Sequence, residues 1–309
     1  MPHTNDLDLV PNQGWDERIL VCRNGPLVDT FIVVTARYVV LVDTVINPAT
    51  ARRMVDYARP YLTGGRQLLV INTHADYDHA WGNQIFAGAQ AEYPVPIIAT
   101  RLCAAQFEDP EAPIFLQQRQ AEEPAIFAEV VLTPPTILFD ERLVIDGGDL
   151  TLELFATPGH TPDHLAIYLP EIATLLAADG AELPFPLART VAGLPIMRQS
   201  LAQMAMLHTN TVLYCHAPVT IGSQLIQENI AYFDQLESHC RVALARGVPA
   251  DPPPAADVAA LVEFPFAAAV QAGAYASFLR DHHRTEWHPQ QIRMMLTYLA
   301  QSLSSIPTA

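Results

Sequence analysis

The chain has 309 residues, half of them hydrophobic and 16% charged, enough for a large core in one domain or a domain with an appendage. Its formal net charge of -16 repels phosphate backbones and argues against nucleic acid as a partner. No window reaches the roughly 18 apolar residues of a membrane span. The nearest one, 255–276, is interrupted by Asp257, Glu263 and Pro265, so no membrane contact is expected. The amino terminus, MPHTNDLDLV, lacks the basic and then apolar pattern of a secretory signal. The dispersed cysteines Cys22, Cys103, Cys215 and Cys240 form no CxxC pair. They fit reduced thiols, and a cytoplasmic setting is the expectation.

In chain order, Phe31–Val34 and Tyr38–Val42 read as strands, the second closed by Asp43-Thr44. Residues 49–62 carry helical spacing, with Met54, Ala58 and Tyr61 along one face and Gly64-Gly65 at the end. Gln67–Ile71 is a short apolar strand of the kind buried on both faces, running into Asn72-Thr73-His74. A short helix reaching Phe86 and a strand at 96–99 follow. Residues 101–136, rich in proline, read as helices and loops without a core of their own. Strand character returns at Ile137–Phe139, 143–145, 150–155, Leu165–Leu169 and 173–178. A helix at 197–207 leads to a last strand at 211–215, and two sheets packed together with helices outside are expected. After Val219 the strand signals stop. Ile226, Ile230, Phe233 and Leu236 mark an amphipathic helix, and a final helix covers 289–303. The division expected is 1–220 for a catalytic domain and 221–309 for a helical extension.

The chemistry concentrates in Thr73-His74-Ala75-Asp76-Tyr77-Asp78-His79, directly after a buried strand. Imidazoles and carboxylates gathered in one loop suit ions such as zinc, iron or manganese. A single histidine is more often a packed or surface residue. This cluster, however, has company downstream in His160, Asp179 and His216, each after a strand-like run. In layered α/β folds, residues just past strand ends gather on one edge, where sites are built.

The pattern resembles the metallo-β-lactamase superfamily, whose signature is HxHxDH, then a histidine in a GH turn, an aspartate after a strand and a last histidine. Here the elements read HADYDH, TPGHTPDH, LLAADG and LYCHA, in order from Asp43 to His216. The resemblance implies a four-layer αββα sandwich with two divalent ions along one edge. By position, His74, Asp76 and His160 hold one ion and Asp78, His79 and His216 the other, with Asp179 bridging. Asp43 matches a position that orients ligands, and His164 a position beside them. One departure is Asp76, which stands where the family has its second histidine. The added carboxylate makes iron or manganese more competitive with zinc, the ion favoured by the family.

Two ions sharing a water would lower its pKa and supply hydroxide to a carbonyl carbon, with Asp78 passing a proton to the leaving group. Tyr77 and Trp81 flank the ligands. Tyr77 is read as a pocket residue and Trp81 at least equally as packing. Cys215 is read as a small buried hydrophobe, and His282, His283 and His288 as surface residues. The function expected is hydrolysis of an ester, lactone, thioester or amide in a small molecule. Di-iron redox chemistry and a non-catalytic binding protein are the rivals. A homo-oligomer is left open.

Overall fold

In the computed structural model, residues 3–89, 91–217, 222–270 and 276–304 are described. The strands are β1 (Asp8–Val10), β2 (Ile19–Asn24), β3 (Val28–Val34), β4 (Tyr38–Val42), β5 (Gln67–Ile71), β6 (Ile97–Thr100), β7 (Ile137–Phe139), β8 (Arg142–Asp146), β9 (Thr151–Ala156), β10 (Leu165–Leu169), β11 (Thr174–Ala178) and β12 (Thr211–Tyr214). The α-helices are α1 (Pro48–Ala58), α2 (Tyr77–Ala80), α3 (Arg101–Phe107), α4 (Glu111–Glu122), α5 (Pro124–Phe127), α6 (Gly193–Ala205), α7 (Gln224–Ala245), α8 (Val258–Leu261), α9 (Phe266–Ala269) and α10 (His288–Ser304). None of the described helices is long and apolar enough to cross a membrane.

The chain divides into two compact units. The first comprises Met1–Thr157, Asp163–Ala178 and His208–Ile221, and holds every strand among the described residues. Its larger sheet has the order β1-β2-β3-β4-β5-β6-β7, antiparallel through β4 and parallel from β4 to β7. The smaller sheet runs β12-β11-β10-β9-β8, with β11 and β12 parallel and the rest antiparallel. Alternate residues of the smaller sheet, Leu152, Leu154, Leu165, Ile167, Leu176 and Leu213, share one buried cluster with Phe31, Val33, Val40 and Leu69, which lie on one face of the larger. Because side chains alternate across a strand, this pattern means the sheets pack face to face. The expected two-sheet α/β architecture is therefore present.

The helix α1 covers the larger sheet through Ala51, Met54, Val55 and Ala58, a stripe at helical spacing. It starts where it does because the Asn47 side chain accepts from Thr50 N at 2.9 Å and Pro48 follows as the first helical residue. Strands β1 and β2 precede the first strand expected from the sequence. The polar end of β2 is tied by specific partners: Arg23 donates to both oxygens of Asp29 at 2.8 and 2.6 Å, and the Asn24 amide donates to the carbonyls of Thr4 and Asp6. The proline-rich segment forms α3, α4 and α5, which bury only Cys103, Leu116 and Phe127 between them.

The second unit comprises Pro158–Pro162, Asp179–Leu207 and Gly222–Ala309. Compactness groups α6 with α7 and α10 rather than with the sheets, and the expected 220/221 boundary lies outside the described residues. Within this unit the reading of His288 as a surface residue is corrected. It is fully buried, its Nε2 donating to the Phe264 carbonyl at 2.7 Å and its Nδ1 accepting from the Tyr232 hydroxyl at 3.0 Å. Its polar neighbours Asp281, Arg284 and Glu286 misled because a helix can bury one face while exposing the next residue. His283 is buried as well.

Burial lowers the pKa of His288 below its ordinary value of 6.5. The unfolded chain therefore takes up the proton first, so the contribution is full above about pH 6.5 and is lost as pH falls through the folded value. Urea midpoints measured from pH 8 to pH 5 are expected to fall more steeply for the native chain than for His288→Gln.

Candidate metal centre

Strands β4 and β5 run parallel with Val42 opposite Ile71, so Asp43 and Asn72 leave the sheet at the same edge. Asp43 is buried and left-handed, with φ of 67°, a conformation that aspartate tolerates better than most residues. Its carboxylate explains the fold of the whole loop. One oxygen accepts from Thr73 N at 2.7 Å, and the other accepts from the Thr73 hydroxyl and from His79 Nδ1, each at 2.8 Å. Thr44 N donates to the His79 carbonyl. Gly82 closes the turn because a Cβ there would fall 2.2 Å from the Thr44 carbonyl oxygen. From the other side, Asp163 accepts from Ala75 N at 2.8 Å while its own carbonyl accepts from Thr100 Oγ1.

These bonds determine which nitrogens of the histidines carry protons. A carboxylate or carbonyl oxygen can only accept, so the ring nitrogen facing one must carry the hydrogen of a neutral imidazole. His79 Nδ1 faces Asp43, and His216 Nδ1 faces the Leu27 carbonyl at 2.7 Å. The Thr73 hydroxyl spends its hydrogen on Asp43, so its oxygen accepts from His74 Nδ1 at 3.0 Å. In each ring the lone pair is therefore on Nε2. The Nε2 atoms of His79 and His216 lie 3.5 Å apart. The Asp78 carboxylate stands 3.8 Å from the first and 3.4 Å from the second. His74 Nε2 lies 3.4 Å from Asp76 Oδ2, and the His74 and His79 ring centroids are 4.1 Å apart.

Lone pairs and carboxylates turned on one another repel unless a cation lies among them. Donors about 2.0–2.2 Å from one tetrahedral ion stand about 3.3–3.6 Å apart. The triangle of Asp78, His79 and His216, with sides of 3.4, 3.5 and 3.8 Å, is near that spacing, so these three could hold one ion. Imidazole with carboxylate is a donor set for zinc, iron or manganese.

The second unit carries His160 and Asp179. His160 follows Gly159, whose φ of 144° and approach to Met197, where a Cβ would lie 2.3 Å from the Cα, leave room only for glycine. His160 repeats the pattern: Nδ1 faces Glu182 Oε1 at 3.3 Å, and Nε2 lies 3.6 Å from Asp179 Oδ2 and accepts from Arg189 at 3.1 Å. Ala178, left-handed with φ of 45°, is the residue at which the chain leaves β11 for Asp179.

The structure thus brings together His74, Asp76, Asp78, His79 and His216 in one unit, with Asp43 behind them, and His160 with Asp179 in the other. His164 is buried, its Nδ1 on Thr157 Oγ1 at 2.8 Å and its ring 5.2 Å from that of His74. Cys215 is buried in the hydrophobic core. Tyr77 packs edge-on against Trp81 and Phe127, and its hydroxyl meets His3 Nε2 at 3.1 Å. Burial and the neighbouring carboxylate of Asp78 push its pKa up. Reading the sequence missed Glu182, Asp163 and Arg189. The only signal for Glu182 was an acidic residue in an apolar stretch, AELPF, where a buried carboxylate needs a partner.

With fold and donors placed, comparison with known proteins defines the class. The profile described as Metallo-beta-lactamase superfamily matches residues 23–216. The chain belongs to the metallo-β-lactamase superfamily and is a metal-dependent hydrolase. It is 27% identical over 217 residues to a hydroxyacylglutathione hydrolase of Hahella chejuensis, covering 67% of this chain and 71% of that one. A hydroxyacylglutathione hydrolase of Brucella anthropi is 30% identical over 152 residues, 47% of this chain and 45% of its own. Among solved structures, a metallo-beta-lactamase from Pontibacter korlensis superposes with a TM-score of 0.54 at 18% identity, covering 74% of this chain and 99% of its own. A metallo-beta-lactamase family protein from Thermus thermophilus gives 0.57 at 19%, covering 97% and 93%. At these identities the superpositions speak for the fold alone.

Proposed function

We propose that the chain is a dinuclear hydrolase of a small-molecule acyl bond, a thioester or ester in the first instance, with zinc as the favoured ion. The single observation that carries this is the convergence of imidazole Nε2 lone pairs on carboxylates, with the Nδ1 atoms of His74, His79 and His216 hydrogen-bonded behind. One ion takes Asp78, His79 and His216. On the superfamily pattern His74, Asp76 and His160 would hold the other, and Asp179 would serve as a shared ligand. Bound there, divalent ions polarise a carbonyl and make a nucleophile of water near neutral pH.

The chain's own residues do the rest. Asp43 and the Leu27 carbonyl hold His79 and His216 in the tautomer that presents Nε2. The Glu182 carboxylate lies 3.3 Å from His160 Nδ1, on the side of the ring away from Nε2. Asp78 carries a carboxylate at the reacting edge, placed to accept a proton and hand it to the leaving group. The relatives named for hydrolysis of hydroxyacylglutathione, an acyl thioester, support the choice of bond.

Elemental analysis paired with turnover of a panel of thioesters, esters and lactones tests this reading. About two equivalents of transition metal and chelator-sensitive hydrolysis are expected. Asp179→Ala is expected to lower both. A folded chain that loads metal but turns over no acyl substrate would leave a binding protein on the same fold, and bound iron with oxygen consumption would overturn the hydrolysis.

A further inference from the structure

A β-sheet presents unpaired N–H and C=O groups along each edge, and such edges are usually kept short, covered, or guarded by lysine, proline or a bulge. Among the described residues the two sheets end on β1, β7, β12 and β8. Strands β1 and β7 are three residues long, and β12 is buried throughout. The five residues of β8, Arg142-Leu143-Val144-Ile145-Asp146, hold neither lysine nor proline, and their register with β9 is unbroken. Val144, at the middle, is 62% exposed.

The bonds at the two ends of the β8–β9 pair fix which backbone groups are left over. Ala156 N donates to the Glu141 carbonyl and Gly147 N to the Leu150 carbonyl, so the odd-numbered residues of β8 face β9. The N–H and C=O groups of Arg142, Val144 and Asp146 therefore point off the edge of the sheet. The Asp146 carbonyl accepts from Arg37 Nη1 at 3.3 Å, which leaves it a second lone pair. Side chains alternate as well. Leu143 and Ile145 pack against the core, while Arg142, Val144 and Asp146 are exposed on the opposite face.

The order of the exposed side chains says what covers this edge. A second copy laid antiparallel along β8, with a two-fold axis at Val144, brings Val144 opposite its own counterpart and each Arg142 opposite an Asp146. An apolar residue then meets an apolar one, and opposite charges meet on one face, both of which favour strand pairing. Asp146 already pairs with Arg37 at 2.6 Å, but both groups are exposed, and a carboxylate has acceptor sites for a second guanidinium. We propose that β8 is a homodimer interface, across which the smaller sheets of two copies join edge to edge into one continuous sheet. The pairing needs no ion, so it stands apart from the metal reading. Five residues a side make a small interface, which sets the Kd on the order of 10 µM.

Sedimentation equilibrium of the full chain tests this at about 0.15 M salt, where charges more than about 8 Å apart are screened and the net charge of -16 on each copy weighs little. The native chain is expected to pass from monomer to dimer between about 1 and 200 µM. Val144→Lys and Val144→Glu each set like charges against one another on the axis, and each is expected to raise the Kd about tenfold. An equimolar mixture of the two variants sets opposite charges there and is expected to recover a heterodimer near the native affinity. Arg142→Asp, opposite the partner's Asp146, is a second probe with the same expected loss. All three substitutions fall on exposed side chains, and circular dichroism checks that the variants are folded. A native chain that stays monomeric over the whole range, a dimer indifferent to Val144→Lys and Arg142→Asp, or a mixture no tighter than either variant alone overturns the proposal.

Discussion

His216→Ala is expected to release one metal equivalent per chain and to lower kcat/KM by about a thousandfold or more. The side chain is one of the three in the proposed ligand group. Its Nδ1 reaches one backbone carbonyl, that of Leu27, and its Nε2 faces Asp78 and His79. Removing it leaves two donors where a tetrahedral ion needs at least three from the protein. An ion that polarises a carbonyl contributes several kcal/mol of charge stabilisation, and each 1.4 kcal/mol is about a factor of ten in rate. Metal analysis, thermal unfolding and turnover on one preparation check it. Retention of both metal equivalents would mean that His216 is not a donor.

Asp43→Asn should keep the backbone and spoil the chemistry. Asparagine tolerates the left-handed φ of 67° as well as aspartate does. It cannot, however, meet three donors with acceptors. Thr73 N, the Thr73 hydroxyl and His79 Nδ1 all present hydrogens to the Asp43 carboxylate. An amide supplies one oxygen, and its NH2 then faces a donor. The cheapest relief is for His79 to move its hydrogen to Nε2, which removes the lone pair from the ligand group. Metal affinity is expected to fall about 10–100-fold. The unpaired donors are expected to cost about 1–3 kcal/mol of stability, read from denaturant midpoints. Loss of stability with unchanged metal affinity would assign Asp43 to the fold alone.

These two residues illustrate what the sequence made legible. The strands β4, β5, β7 and β10 stand where continuous apolar runs place them, to the residue, because runs of that kind have few ways to be buried. Strand β1 escaped because it is three residues long and largely exposed, and β2 because Arg23 and Asn24 break its apolar pattern, while the partners that satisfy them, Asp29 and the Thr4 and Asp6 carbonyls, are visible only in three dimensions. The proposed donors were legible because four of them crowd one loop after a buried strand. The groups behind them were less so. Asp43 emerged from its place after a strand, but Glu182 serves His160 from 22 residues away, through a contact that no periodicity encodes. Arg189 belongs with Glu182 in this respect. His288 shows the converse error, a polar neighbourhood in sequence around a side chain that sits at the centre of a helical core.

The most direct test is anomalous diffraction from crystals of the zinc-loaded protein, collected on both sides of the zinc edge. The account predicts a peak about 2.0–2.2 Å from His79 Nε2, His216 Nε2 and an Asp78 oxygen. Zinc bound elsewhere, with the three side chains as they are here and no density among them, would contradict it.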